Sequence, residues 1–573
     1  MATSHPRWPR FAAPHVPEPT RKEAPLPAPR HTPLIALLLG VLVLLAACSE
    51  DGPQLPFVPT PEPTPEQPRE MVVTVATRGT QAPIEGARIL VDGIETTSAA
   101  DGTATITALR GASLTVEAVD HDPAEATVPD DGDLVIELRS NVLGGTVIGR
   151  DGAPVAGVRV FVEGGETVAV TDDDGTYRLA GVPEAGTLLM KMPGYRLVER
   201  PLGEEMVGDA VLEPFEARAL YAPSAVFEAP GRLDAMLALL DRTEANALVI
   251  DVKETDGRLF YATDLPEAVD AGAVREAPIF DLEELLPQLK ERGIYTIARM
   301  VVMKDNTTAA ARPELAVMNT ASGESWRDNI GGAWLDPSAP GVAEYIAAIA
   351  GDLAAKGFDE VQLDYIRFYS DGPYALADTN LPNTQSFRLP AIQRVLRVVS
   401  EELDATRAFL GADVFPISFI VPDDQGIGQR PEVIMPYVDY FCPMVYPSHY
   451  GPGVFGFDVP NNFPYEVVDR TLEIMNRQAE GLPVVIRPWI QDFGYGPFPP
   501  YTADQVRAQM DAAAGREARG WMIWNARATF TEAALGPPRE GEDAGPTTSV
   551  APAPSASPTA SEAASSAAPS ASP

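Results

Sequence analysis

Two cysteines and five histidines stand in 573 residues. That scarcity excludes a disulfide framework and leaves no cysteine cluster or histidine-rich set for zinc, while an oxygen-ligand cation site stays open. Cys48 closes an apolar run and Cys442 lies in a strand-like stretch, contexts too different for a shared disulfide. Basic residues are also few, 43 Lys and Arg against 81 Asp and Glu, for a net charge of −38. This argues against a nucleic-acid backbone or an anionic lipid surface as the main partner. An acidic surface is commonly just a soluble one and identifies no substrate. A glycine-rich phosphate loop is missing after the first strand of the large domain, which disfavours an open doubly wound sheet.

What is present begins at the N-terminus. Residues 1–33 are Pro-rich and basic (Arg7, Arg10, Arg21, Lys22, Arg30), and the apolar run Leu34 to Ala47 ends at Cys48. This is the anatomy of a signal peptide, with a run shorter than the ~20 residues of a membrane-spanning helix. Leu45-Ala46-Ala47-Cys48 resembles the bacterial lipobox, which implies lipidation at Cys48, a membrane anchor and an extracytoplasmic location at the cell surface. Residues 49–70 are rich in Pro, Glu and Thr and suit an extended spacer.

Residues 71–213 contain an internal repeat, since Pro83-Ile-Glu-Gly-Ala-Arg-Ile-Leu-Val-Asp-Gly93 aligns with Pro154-Val-Ala-Gly-Val-Arg-Val-Phe-Val-Glu-Gly164. Each copy continues into an Asp-Gly turn, at Asp101-Gly102 and Asp174-Gly175, and then into alternating residues, the pattern of short antiparallel strands. Two small all-β sandwiches are expected, over 71–140 and 141–215. The second, with Val182-Pro183 and Met192-Pro-Gly-Tyr195, resembles the carboxypeptidase regulatory-like fold, which implies a spacing or adhesion role.

From 216 to 536, strand-like and helix-like stretches alternate eight times, the pattern of an α/β (β/α)8 TIM barrel. Strands are expected at 219–227, 247–253, 295–302, 360–368, 409–415, 438–446, 484–491 and 520–525, with helices at 282–292, 342–356, 391–408, 465–478 and 503–517. The fourth strand is central. Val361, Leu363 and Tyr365 alternate with Gln362, Asp364 and Ile366, which puts a carboxylate on the inward face near the C-terminal strand end, where barrels carry their chemistry. Other strand ends supply Asp251 and Lys253, Arg299, Arg367, Asp413, Tyr446 and His449, Trp489 and Gln491, and Trp524. Carboxylates beside aromatic rings suit sugar chemistry, because rings stack on the C–H faces of pyranoses and paired carboxylates act as acid and nucleophile, or acid and base.

Residues 246–257, Asn-Ala-Leu-Val-Ile-Asp-Val-Lys-Glu-Thr-Asp-Gly, the strand Phe358 to Phe368, Ala412-Asp-Val-Phe415, Gly426-Ile-Gly-Gln429 and Val438 to Gly451 together resemble the glycoside hydrolase-like barrel family DUF4015. The resemblance implies a barrel fold and glycosidic hydrolysis, with no cofactor and no substrate named. Strand four is where related barrels place the nucleophile. This reading makes Asp364 the nucleophile and Asp413 the general acid, with Asp251 as the rival carboxylate. Lys253, which alternation turns the same way as Asp251, joins Arg299, Tyr365, Arg367, Tyr446, His449, Trp489, Gln491 and Trp524 as substrate-binding candidates. Asp423 and Asp424 form a further acidic pair in a loop, where ordinary turn chemistry explains them equally well.

The sequence therefore points to a surface lipoprotein whose barrel hydrolyses a polysaccharide or cell-wall glycan, with no nucleic-acid partner. The alternative is a barrel that binds glycan without cleaving it, as an adhesion module. A deacetylase or lyase would want a metal or a different base. Residues 537–573 are low-complexity and expected to be disordered.

Overall fold

In the computed structural model, which describes residues 67–203, 208–539 and 547–548, the sequence repeat becomes two seven-stranded sandwiches. In the first, the three-stranded sheet Thr103–Ala108, Arg69–Thr77 and Leu134–Leu138 belongs with the four-stranded sheet Ile94–Thr97, Arg88–Val91, Ser113–Glu117 and Ala124–Thr127. Alternation buries Val73, Val75, Ile89 and Val116 between them. The second copy repeats the plan with Thr176–Ala180, Val142–Gly149 and Ala210–Leu212 in one sheet. Val168–Val170, Arg159–Val162, Thr187–Lys191 and Val198–Pro201 make the other, joined at its edge by the two residues Thr547–Thr548. The aligned prolines make the same bridge in both copies, Ala76 to Pro83 and Ile148 to Pro154. The turn glycines also coincide: Gly102 and Gly175 have φ of 76° and 73°, and a Cβ on either would collide with the carbonyl oxygen of Val75 or Val147. The apolar run, Cys48 and the Pro-rich spacer lie outside the described residues.

The large domain is a closed parallel barrel. Its strands are β1 (Ala217–Ala222), β2 (Ala247–Lys253), β3 (Tyr295–Val301), β4 (Glu360–Asp364), β5 (Phe409–Val414), β6 (Tyr440–Val445), β7 in two pieces (Val485–Ile486 and Trp489–Gln491) and β8 (Gly520–Trp524). Each pairs with its sequence neighbours, and β8 closes on β1. The helices are α1 (Arg232–Asp241), α2 (Leu282–Glu291), α3 (Val342–Lys356), α4 (Gln385–Leu403), α5 (Pro464–Ala479) and α6 (Ala503–Gly515), and β5 and β6 are joined by single-turn helices instead. Leu248, Ile250, Val361 and Leu363 point outward to the helices, while Ala219, Val249, Ile297 and Met522 fill the interior. That is the period-two alternation expected of a barrel wall.

Three expected strands change at their ends. β1 stops at Ala222, because Pro223 opens the helix Ser224–Glu228 over residues that the β-branched and aromatic pattern had assigned to strand. β4 stops at Asp364, since Tyr365 turns into the left-handed region at φ 57°. β7 is broken at Arg487 and Pro488, the proline lacking an N–H for the ladder. The helix expected at 391–408 runs instead from Gln385 to Leu403, through Pro390 in its second turn.

The second sandwich packs on the N-terminal face of the barrel. Lys191, at the end of a sandwich strand and fully buried, donates to the carbonyls of Leu403, Thr406 and Ala408 at 3.1, 3.2 and 2.5 Å. Leu403 closes α4 and Thr406 and Ala408 follow it, so a cation there serves carbonyls at and beyond the helix C-terminus and complements the helix dipole. Arg159 pairs with Asp439 and, at 3.4 Å, with Asp404; Arg407 reaches back to Glu163 and Glu199 at 3.0 and 2.7 Å. Replacing Lys191 with Met removes the donor that the carbonyls of Leu403, Thr406 and Ala408 share. The barrel transition in calorimetry of the full chain should fall by roughly 2–4 °C, and an unchanged midpoint would show that these hydrogen bonds contribute no stability.

Candidate active site

Asp251 and Arg299 face one another across β2 and β3, and the pairing of Leu363 with Ala412 places Asp364 beside Asp413 on β4 and β5. All four side chains point up the barrel axis. Arg299 stands in the middle: its Nη1 lies 2.5 Å from Asp251 and 2.8 Å from Glu254, and its Nη2 lies 2.5 Å from Asp364. Its Nε is 3.1 Å from Asp364 Oδ2 and 4.0 Å from Asp413 Oδ2. Those two oxygens therefore lie no further apart than the sum of the two distances, which puts the two carboxylates side by side.

One guanidinium cannot balance four carboxylates. Burial pushes Asp251 up to about 7, although Arg299 opposes the shift and Tyr221 donates a hydrogen bond to its Oδ2. Burial and the Asp364 charge push Asp413 well above the carboxylate range, in spite of the Trp489 Nε1–H that donates to its Oδ1 at 2.7 Å. Glu254 is only part-buried; against burial, the neighbouring Arg299 charge holds it below its usual range. Asp364 takes the Tyr365 backbone N–H on Oδ1 at 2.6 Å and the guanidinium on Oδ2. Burial and like charge thus raise the proton affinity of Asp251 and Asp413, while Arg299 lowers that of Glu254 beside them.

Aromatic rings line the floor and walls. Tyr221 stacks on Trp524 at 4.1 Å between centroids, and Trp489 meets Trp524 edge-on at 5.5 Å. Arg299 lies 5.3 Å over the Trp524 ring. Tyr446 contacts His449 and Phe493 edge-on, at 5.6 and 5.4 Å, and burial pushes its hydroxyl pKa up.

Of the residues singled out in the sequence, Asp251, Arg299, Asp364, Asp413, Trp489 and Trp524 meet directly in this centre, and Tyr365, Tyr446 and His449 border it. Lys253 does not belong. The β2 register shifts between Asp251 and Lys253, so the simple alternation fails, and the fully buried ammonium pairs with Asp305 at 2.8 Å and donates to Val301 O at 2.8 Å. Gln491 is also scaffold rather than substrate ligand: its Oε1 accepts from Ser448 N at 3.1 Å and its Nε2 donates to Phe493 O at 2.9 Å. Arg367 is buried under Trp334, Tyr365 and Phe415 and donates to Phe368 O and Ser370 Oγ, so it shapes the rim. Asp424 is buried against Arg388 at 2.7 and 2.8 Å and Asp423 holds its own turn, so neither approaches the centre. Cys442 is buried inside the barrel, where burial raises its thiol.

Sequence reading missed Tyr221, Glu254 and Gln429. Glu254 directly follows the β2 strand end and was readable on that ground. Tyr221 was hidden by the wrong end assigned to β1. Gln429 accepts from Phe415 N at 2.8 Å and donates to the carbonyls of Ile366 and Asp413, tying the β4 and β5 loops together, a tertiary role with no local signature.

A closed parallel barrel with acids and aromatic rings gathered at the C-terminal strand ends has the architecture of a glycosidase-like barrel. Residues 219–530, more than half of the chain, match the family DUF4015, described as "Putative glycosyl hydrolase domain", and the chain belongs to that family. Residues 142–209 match the carboxypeptidase regulatory-like domain. A hypothetical protein from Ruminiclostridium thermocellum is similar at 33% identity, over 34% of this chain and 97% of its own, with a TM-score of 0.30. The PgaB (BpsB) glycoside hydrolase domain from Bordetella bronchiseptica is similar at 16% identity, over 55% and 95%, with a TM-score of 0.41. The TonB-dependent receptor P39 of Formosa agariphila is 38% identical over 69 residues, and the match takes in 12% of this chain and 7% of the receptor.

The raised pKa of Asp251 has a consequence for stability. In the unfolded chain this carboxyl releases its proton near 3.8, in the folded chain at about 7. Between those values the native state holds the extra proton, so the stability it contributes is complete below the lower pH and is lost as pH rises through the upper. Asp251→Asn should flatten the decline in unfolding temperature between pH 4 and pH 7; a slope equal to that of the parent chain would contradict the assignment.

Proposed function

We propose that the barrel hydrolyses glycosidic bonds of a polysaccharide or wall glycan, with Asp364 as nucleophile and Asp413 as general acid. The observation that carries the reading is the unequal placing of two neighbouring acids about one guanidinium: Asp364 is bonded to Arg299 at 2.5 Å, while the buried Asp413 stands 4.0 Å from it, where burial and the Asp364 charge push its pKa up. Trp489 occupies Asp413 Oδ1, which leaves Oδ2 to carry the proton to the glycosidic oxygen. Asp364 attacks the anomeric carbon as that bond breaks. Asp413, now ionised, takes a proton from the water that releases the sugar from Asp364, a double displacement with retained configuration. Arg299 withdraws from Asp364 as the ester forms and stays paired with Asp251 and Glu254.

The deep burial of Asp413, 1% exposed, favours a second reading in which the barrel binds glycan without cleaving it. One comparison separates the two. Asp364→Asn should reduce reducing-sugar release by on the order of 10²–10⁴-fold while the circular dichroism spectrum and melting point stay close to those of the parent; turnover retained in that variant would remove Asp364 from the mechanism.

We further propose that the mature protein is a lipoprotein anchored through Cys48, with the Pro-rich segment and the two sandwiches holding the barrel off the membrane at the cell surface. The supporting observation is the Leu45-Ala46-Ala47-Cys48 sequence at the end of the apolar run. Cys48→Ser should move the protein from the detergent-extractable membrane fraction to the soluble one, and unchanged partitioning would exclude lipidation as the anchor.

A further inference from the structure

The rim of the barrel carries aromatic rings on opposite sides of the charged centre. Beyond β6 and β7, Tyr446 stands against His449, and His449 is stacked on Tyr495 at 4.2 Å with the planes 29° apart. Tyr495 is 51% exposed and His449 lies open beside it. Beyond β3 and β4, Tyr365 lies 5.9 Å from Trp334 and beneath the Arg367 guanidinium at 4.9 Å. Past Tyr369, at 5.7 Å, stands Tyr374, which is 52% exposed and within reach of the Arg367 charge. In the circular strand order β3 and β4 lie across the barrel from β7 and β8, so the loops that carry Tyr374 and Tyr495 leave opposite sides of the mouth in which Asp364 and Asp413 lie.

We infer that Tyr495 with His449, and Tyr374 with Tyr365, are sugar-stacking positions on the two sides of the carboxylates, and that a β-linked gluco-configured glycan chain lies across the mouth and is engaged at an internal bond. The chemistry selects the class. A pyranose whose ring substituents are all equatorial offers axial C–H bonds on both faces, the surface an aromatic ring covers, whereas an axial hydroxyl interrupts it. A site that trims chain ends needs a wall on one side of the acids; here both sides continue as exposed rings. Cleavage at the internal bond rests on the glycosidase reading above, but the stacking positions do not.

Calorimetric titration of the full chain with cellobiose, cellohexaose, chitobiose and chitohexaose tests the inference. At least one hexasaccharide should bind about tenfold tighter than its disaccharide. Tyr495→Ala and Tyr374→Ala, both at exposed loop positions, should each remove most of that advantage and leave disaccharide binding as it was. Equal binding of the two lengths, binding of neither series, or parental affinity in both variants would overturn the proposal. The same hexasaccharides labelled at the reducing end then report cleavage. Fragments of intermediate length support internal engagement, and release of single sugars from one end overturns it. Length-dependent binding with no cleavage would keep the stacking positions and reject the glycosidase reading instead.

Discussion

A single guanidinium shared by more acids than it can neutralise governs the barrel mouth. Arg299 is buried, touches Asp251, Glu254 and Asp364, and comes within 4.0 Å of Asp413. Were the four carboxylates all ionised, three negative charges would stand uncompensated around it, and for the deeply buried Asp251 and Asp413 the desolvation penalty would be several kcal/mol each. Retained protons are the way out, and they settle where burial is deepest and Arg299 helps least, at Asp413 above all. One arginine among unequally buried acids thus sets their proton affinities apart. Trp489, Tyr221 and Tyr365 contribute the remaining donors, so each acid is held in a defined direction.

A second buried pair lies lower on the same axis. Glu360 and Arg487 are both fully buried and in contact, with the guanidinium 4.2 Å over the Tyr440 ring and Tyr295 donating to the carboxylate at 3.2 Å. The charge of Glu360 is felt at Asp413. The barrel interior therefore holds a buried ion pair below the charged mouth, among the apolar side chains of Ala219, Val249, Ile297 and Met522. The apolar packing that stabilises it lies mainly outside the strands, where Leu248, Val361, Leu363, Ile346 and Val395 form a continuous layer with the helices.

The second sandwich is more than a spacer in this arrangement. Through Lys191 it satisfies carbonyls just beyond α4, and through Arg159 it pairs with Asp439, whose other oxygen accepts from Leu410 N at 2.9 Å. The start of β5 and the approach to β6 are thus held from below. Asp413 sits four residues after Phe409, where β5 begins, so the sandwich and the acid are supported by the same strand.

Period and punctuation determined the architecture from the sequence alone. Eight alternating strand and helix stretches, an aligned repeat with Asp-Gly turns, and carboxylates late in strands were enough to place the barrel, the sandwiches and Asp251, Asp364 and Asp413, because alternation and turn chemistry are local properties of the chain. The family motifs carried the reaction class. What depended on tertiary structure was every assignment in which alternation was interrupted or a partner was distant. A bulge in β2 turned Lys253 away from Asp251 toward Asp305. Pro223 ended β1 early and so exposed Tyr221 as a site residue. Gln429 and Lys191 act on backbone groups from remote segments. Above all, which acids keep their protons is decided by depth of burial and by distance to one arginine, and neither quantity is encoded in any local stretch of sequence.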